Sequence, residues 1–134
     1  MIVTGGAGFI GSNFVLDWLA HGDERVVNLD ALSCAGNLHN LDTLHGDARH
    51  VFMQGDICER PLLDQLFAEH QPRAVVHFAA QSHVDRSIHG PGEFMHTNVQ
   101  GTFALLEAAR AYWSAQEGAA KSALRFLGAT NYSA

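Results

Sequence analysis

The sequence predicts an α/β fold, a doubly wound parallel sheet with helices on both faces. Three observations carry that expectation. Strand-like and helix-like segments alternate along the chain, the pattern that builds a parallel sheet through crossover connections. Residues 74–79 (Ala-Val-Val-His-Phe-Ala) form an apolar run without alternation, as a strand covered on both faces requires. A glycine-rich turn joins the first strand to the first helix.

The elements follow in order. Residues 1–4 read as a short buried strand, and residues 9–21 as a helix with Ile10, Phe14, Val15 and Trp18 on one face. Residues 25–30 (Arg-Val-Val-Asn-Leu-Asp) are a second strand, residues 31–49 a loop with one short helical piece, and residues 50–54 a third strand. Pro61 suits the first turn of a helix. Leu62, Leu63, Leu66 and Phe67 then keep the helical period until Pro72 closes it. The apolar fourth strand is followed by a long helix over residues 93–113, with Val99, Thr102, Phe103, Leu106 and Ala109 at core spacing. Gly118 breaks that pattern, and residues 123–127 make a fifth strand. The sheet is expected to be truncated after about five strands.

A chain of 134 residues fits one domain, and 47% apolar against 16% charged residues suits a folded core rather than a disordered segment. The net charge is −6 and the eight basic residues are scattered, which leaves no stripe for nucleic acid or anionic lipid. The longest apolar stretch, residues 74–80, is too short to span a bilayer. The first residues lack the basic flank of a signal peptide, so a cytoplasmic location is expected. Cys34 and Cys58 match no metal or redox spacing and are expected as unpaired thiols. Among the histidines, His77, His83, His89 and His96 come nearest to clustering, but no pair has helical ligand spacing, and no metal is expected. His77, inside a strand, reads as a core or cofactor-adjacent residue.

Residues 4–12 read Thr-Gly-Gly-Ala-Gly-Phe-Ile-Gly-Ser. Gly6-x-Gly8-x-x-Gly11 satisfies the dinucleotide fingerprint, and Gly5-x-x-Gly8-x-x-Gly11 the spacing of extended short-chain dehydrogenases. The first glycines allow a tight turn with positive φ, Gly8 lets a pyrophosphate reach the backbone, and Gly11 lets the helix pack closely on the strand. The helix N-terminus offers free N–H groups and partial positive charge to the phosphates. The second strand ends in Asp30, nineteen residues after Gly11, where a carboxylate can accept from a ribose 2′-hydroxyl. These matches predict a Rossmann-type domain that binds NAD.

Residues 79–87 (Ala-Ala-Gln-Ser-His-Val-Asp-Arg-Ser) follow the fourth strand at the sheet edge where doubly wound folds place ligands. Taken together, TGGAGFIGS, LDALSCAGN, GDI, HFAAQSHVDRSI and TNVQGT resemble the dTDP-glucose 4,6-dehydratase family of extended short-chain dehydrogenases/reductases, over residues 1–126. The HVDRS segment and Ala35-Gly36-Asn37 carry the more specific part of that resemblance. It implies an NAD-dependent lyase of nucleotide-sugar metabolism. Such enzymes oxidise the hexose of dTDP-glucose at C4, eliminate water across C5 and C6 and return the hydride to C6. It also implies residue roles. Phe9 and Ile10 would sit by the pyrophosphate, on the cofactor-binding turn of Gly5, Gly8 and Gly11. Asp30, Ala31, Leu32 and Ser33 would line the adenosine ribose, and Asp56 and Ile57 the adenine. Phe78, Ala79, Ala80, Gln81 and Ser82 would run beside the cofactor, with Ser82 also near the sugar and Thr97 approaching from the long helix.

The sequence departs from that family after the fifth strand. Residues 127–134 (Leu-Gly-Ala-Thr-Asn-Tyr-Ser-Ala) hold no Asp-Glu pair, and no Tyr-x-x-x-Lys follows, since Lys121 precedes Tyr132. No catalytic residue is therefore assigned. Residues 1–134 read as an incomplete NAD-binding domain without a C-terminal substrate domain, as a truncated or frame-shifted gene product would be, and inactive alone. A related nucleotide-sugar epimerase or dehydratase fragment, or a non-catalytic NAD-binding remnant, remains the alternative. The family resemblance leaves homodimerisation through the long helix open.

Overall fold

The computed structural model describes residues 1–32, 36–79 and 96–128. Five parallel strands form one sheet in the order β3-β2-β1-β4-β5. They are β1 (Ile2–Thr4), β2 (Val26–Asp30), β3 (His50–Gln54), β4 (Ala74–His77) and β5 (Arg125–Gly128). The order runs outward from β1 in both directions, so the chain winds first one way and then the other. Helix α1 (Phe9–His21) connects β1 to β2, and α2 (Arg60–His70) connects β3 to β4. A π-helical turn (His96–Gly101) runs into α3 (Thr102–Ala115), and a short α4 (Gly118–Ala123) precedes β5. The strands pair Thr4 with Leu29 and with His77, and His77 with Gly128, so their C-terminal ends lie along one edge. That architecture is the Rossmann-type sheet expected from the sequence.

The alternation of β1 divides the core. Ile2 faces α2 and α3 with Val27, Leu29 and Val75, against Leu63, Leu66, Phe67, Leu105 and Ala108. Val3 faces the other way with Val26 and Val76, against Val15 and Leu19 of α1. Each strand of the centre is buried on both faces, which is why β4 reads as an apolar run without a polar side, while β2 also buries the polar Asn28 and Asp30. At the far end of the sheet, Arg49 donates to Asp47 and to the carbonyls of Leu19 and Gly22, tying α1 to the approach of β3. The paired guanidinium holds the Asp47 carboxyl down to about 2.

Several details differ from the sequence expectations. On α1 the buried line is Gly11, Ser12, Val15 and Leu19, while Ile10 is exposed and Phe14 and Trp18 are half-buried, with rings 5.8 Å apart. On α3 the core side is Leu105, Ala108 and Ala109, and Phe103 is 65% exposed with Val99 and Leu106 also outside. Both faces of that helix carry apolar residues at helical spacing, so periodicity could not choose between them. The small Ala108 and Ala109 let α3 approach α2, and Tyr112 packs on Phe67 at 5.2 Å and donates to the Pro72 carbonyl at 3.1 Å. Of the predicted start of the long helix, residues 93–95 lie outside the described residues. Gly118 opens α4 with φ +62°, which delays β5 to Arg125. The helical piece expected within 31–49 is a 3-10 helix, Leu38–Leu44, capped by the Asn37 side chain accepting from the His39 amide.

Candidate cofactor-binding site

The glycine turn lies at the C-terminal edge of the sheet and is built by its neighbours. Gly5 has φ +74°, a conformation that glycine adopts without steric cost. Its amide donates to the Leu29 carbonyl at 2.9 Å, and a Cβ there would lie 2.6 Å from the Ala79 nitrogen. Of Gly5, Gly6, Gly8 and Gly11, only Gly5 has positive φ. Gly6 is required for a different reason: a side chain would overlap the carboxamide of buried Asn28. A Cβ on Gly11 would overlap the Gly5 carbonyl oxygen, so the close approach of α1 to the turn depends on that glycine.

The turn closes through the Gly8 amide donating to the Gly5 carbonyl at 3.2 Å, and α1 begins at Gly8 with no side-chain cap. No acidic residue stands in the first helical turn. The leading N–H groups of a helix have no intrahelical partner, and their dipoles favour an anion, so this end suits a phosphate group. Phe9 is 81% exposed and Ile10 51% exposed on the same turn, an apolar pair at the mouth of the site.

Asp30, 8% exposed, clamps the turn. One carboxylate oxygen accepts from the Ala7 amide and the other from the Leu32 amide, each at 2.8 Å. The Ala7 carbonyl accepts from the Asn37 amide and from the Asn40 Nδ2, both at 3.0 Å. Each carboxylate oxygen retains a second lone pair for a ribose hydroxyl. Ala31 follows exposed at the strand end, and Leu32 has φ +55°.

Beyond β3, Asp56 accepts from the Cys58 amide at 2.9 Å in a tight local turn. Ile57 is buried in the core and packs where a Cβ on Gly101 would otherwise stand, so its backbone rather than its side chain is available to an adenine. Desolvation and neighbouring Asp56 push the Cys58 thiol up to about 11, which keeps it protonated. Phe78 rests on Phe14 with ring centres 5.4 Å apart, and Ala79 follows beside Gly5. Thr97 lies on the π-helical turn. Ser33, Ala80, Gln81 and Ser82, and the loop over residues 83–87, lie outside the described residues.

Sequence reasoning missed three supports: Asn28 under Gly6, the Asn37–Asn40 grip on Ala7, and a relay through His77. His77 is 6% exposed; its Nδ1 lies 2.6 Å from the Thr4 hydroxyl and its Nε2 3.0 Å from the Thr102 hydroxyl. Burial pushes its imidazole below the usual value, so the ring is neutral near pH 7. A polar residue inside an apolar strand was the only signal for it, and that signal does not name its partners. Among the described residues no three His, Cys, Asp or Glu side chains form a metal site, and no helix is long and apolar enough to cross a membrane.

A parallel sheet whose first crossover carries this turn, with an acidic residue ending the second strand, defines a dinucleotide-binding α/β protein. The family model described as GDP-mannose 4,6 dehydratase matches residues 2–130, and the chain belongs to that family. It is 60% identical over 126 residues to a dTDP-glucose 4,6-dehydratase of Xanthomonas campestris pv. campestris, covering 94% of this chain and 36% of the relative. A crystal structure of a dTDP-glucose 4,6-dehydratase from Streptomyces venezuelae with NAD bound is 47% identical with a TM-score of 0.78, covering 83% of this chain and 35% of that one. A UDP-glucose 4-epimerase from Stenotrophomonas maltophila, with bound NAD and a formylated UDP-arabinopyranose, is 30% identical with a TM-score of 0.79 over 98% of this chain and 36% of that one. The chain thus spans about a third of the length of these relatives.

Proposed function

We propose that this chain is the NAD-binding portion of a dTDP-glucose 4,6-dehydratase. The observation that carries the reading is the turn from Gly5 to Gly11, clamped by Asp30 and opening an uncapped helix. In this reading Gly5, Gly8 and Gly11 form the cofactor-binding turn, Phe9 and Ile10 sit by the pyrophosphate, and Asp30, Ala31, Leu32 and Ser33 line the adenosine ribose. Asp56 and Ile57 flank the adenine. Phe78, Ala79, Ala80, Gln81 and Ser82 belong to the segment beside the cofactor, which Thr97 approaches from the long helix, and Ser82 is also assigned to the sugar. Bound there, NAD supplies a hydride acceptor. The work of the chain's own residues is to bind, orient and exclude water.

The lyase reaction on dTDP-glucose belongs to the whole enzyme in this proposal. The 134 residues hold neither an Asp-Glu pair after β5 nor a Tyr-x-x-x-Lys motif. A positioned proton-transfer group contributes about 10²–10⁴-fold, and substrate positioning about 7–11 kcal/mol, so the chain alone gives no turnover. The full reading puts it in the cytoplasm, without nucleic-acid or membrane partners, and as a homodimer through the exposed side of α3. Calorimetry with NAD tests the binding reading, and incubation with NAD and dTDP-glucose followed by assay for the 4-keto-6-deoxy product tests the second. Failure to bind NAD overturns the first; turnover above the no-enzyme control overturns the second. The likeness to a UDP-glucose 4-epimerase over 98% of the chain supports an epimerase as the second reading, at 30% identity against 60% for the dehydratase.

A further inference from the structure

The inner wall of the site, Phe78 and Ala79, leaves β4 immediately after His77, a residue that the cofactor roles leave out. Its ring is held at both nitrogens. Nδ1 meets the hydroxyl of Thr4, the residue before Gly5, and Nε2 meets the hydroxyl of Thr102, the first residue of α3. The Thr4 hydroxyl also accepts from the Ala79 amide at 3.4 Å, while the Thr4 carbonyl accepts from the Phe78 amide at 2.8 Å. Gly5 in turn packs on the Phe78–Ala79 peptide, with no room for a Cβ between them. One continuous chain of contacts therefore runs from the start of α3 through His77 and Thr4 to the wall and to the glycine turn.

We propose that His77 is a positioning residue that holds the Phe78–Ala79 wall and the glycine turn in register with the helix following the π-helical turn. The geometry explains why an imidazole stands in an otherwise apolar strand. Two polar partners, one on neighbouring β1 and one at the start of α3, need one rigid group with a hydrogen-bonding atom at each end, and the ring spans that gap with both atoms in fixed directions. A buried imidazole with one partner removed keeps an unmet hydrogen-bonding atom, a loss that the neighbouring backbone has to absorb. The proposal concerns the shape of the wall; its consequence for cofactor affinity rests on the NAD-binding reading.

Thr102→Val tests the relay without touching the turn, since valine keeps the branched shape and drops the hydroxyl. Amide hydrogen exchange on the full chain without cofactor is the first readout. The Ala79 and Gly5 amides should exchange about tenfold faster, the effect of losing roughly one buried hydrogen bond, while β3 amides keep their rates. His77→Leu should do the same, and His77→Gln, which reaches the Nε2 position, should recover part of the protection. Unchanged rates in Thr102→Val, or a uniform rise across the sheet, would overturn the proposal. If the His77 variants do not fold, Thr102→Val decides alone. The second readout is the NAD dissociation constant, expected to rise about tenfold in Thr102→Val. A wild-type chain that binds no NAD overturns the cofactor reading and leaves the exchange result to decide on His77; a wild type and variant that bind NAD equally overturn the link between them.

Discussion

Replacing Gly5 with alanine tests the construction of the glycine turn, and two separate costs follow from its geometry. The first is backbone strain: at φ +74° an L-residue costs about 1–2 kcal/mol more than glycine. The second is steric. The new methyl would lie 2.6 Å from the Ala79 nitrogen, 2.7 Å from the Phe78 carbonyl carbon and 2.8 Å from the Ala79 Cα, all backbone atoms of a paired strand end that cannot swing aside. Overpacking of this kind costs about 1–3 kcal/mol. Alanine also restricts the unfolded chain, which offsets about 0.4–1 kcal/mol. The net loss is about 1–5 kcal/mol, centred near 3, a large part of the ~5–15 kcal/mol that stabilises an ordinary domain. Gly46→Ala is the control, because Gly46 has φ +83° with nothing within 4 Å of the added methyl, so only the strain cost applies. Urea denaturation followed by the fluorescence of Trp18 and Trp113 reads both. At about 1–3 kcal/mol per molar urea, Gly5→Ala should lower the midpoint by about 1–2 M and Gly46→Ala by well under that. Equal midpoints for the two variants would refute the steric argument, and an unchanged Gly5→Ala midpoint would refute the whole description of the turn.

Three further outcomes are expected. In the proposed reading Asp30 meets the adenosine ribose, where its carboxylate would repel a 2′-phosphate and no cation is offered by Ala31, Leu32 or Ser33, so calorimetry should show NAD binding more tightly than NADP; the reverse order would sink the assigned role of Asp30. Burial lowers His77 and His50 from an ordinary value of 6.5, so the unfolded chain binds more protons below that pH. Stability is then full about one pH unit above 6.5 and falls on acidification, urea midpoints should drop between about pH 7.5 and 5.5, and His77→Gln should flatten the slope; a midpoint that rises on acidification contradicts this. Val99, Phe103 and Leu106 form an exposed apolar side of the π-helical turn and α3, so light scattering should show self-association that Phe103→Ser reduces; a monodisperse monomer for the unmodified chain removes that expectation.

The strands, the longer helices between them, the doubly wound sheet and the place of the glycine turn were legible in the sequence, because each rests on local signals; the short α4 was not. Hydrophobic period separates strand from helix, an apolar run marks a strand covered twice, and glycine spacing marks a backbone that must come close to something else. Asp30 was legible for the same reason, as an acidic residue at a fixed distance from that turn. Packing settled which of two apolar sides of α3 meets the sheet, since Val99–Phe103–Leu106 and Leu105–Ala108–Tyr112 have the same period and only contact with α2 distinguishes them. It also settled what the glycines avoid: Asn28 opposite Gly6, the Gly5 carbonyl opposite Gly11, and the Ala79 backbone opposite Gly5. Above all it joined Thr4, His77 and Thr102, which are separated by 73 and 25 residues along the chain. No sequence period connects such positions. They meet because β1 and β4 are hydrogen-bonded neighbours and α3 begins over the end of β4, a consequence of sheet order rather than of any local motif.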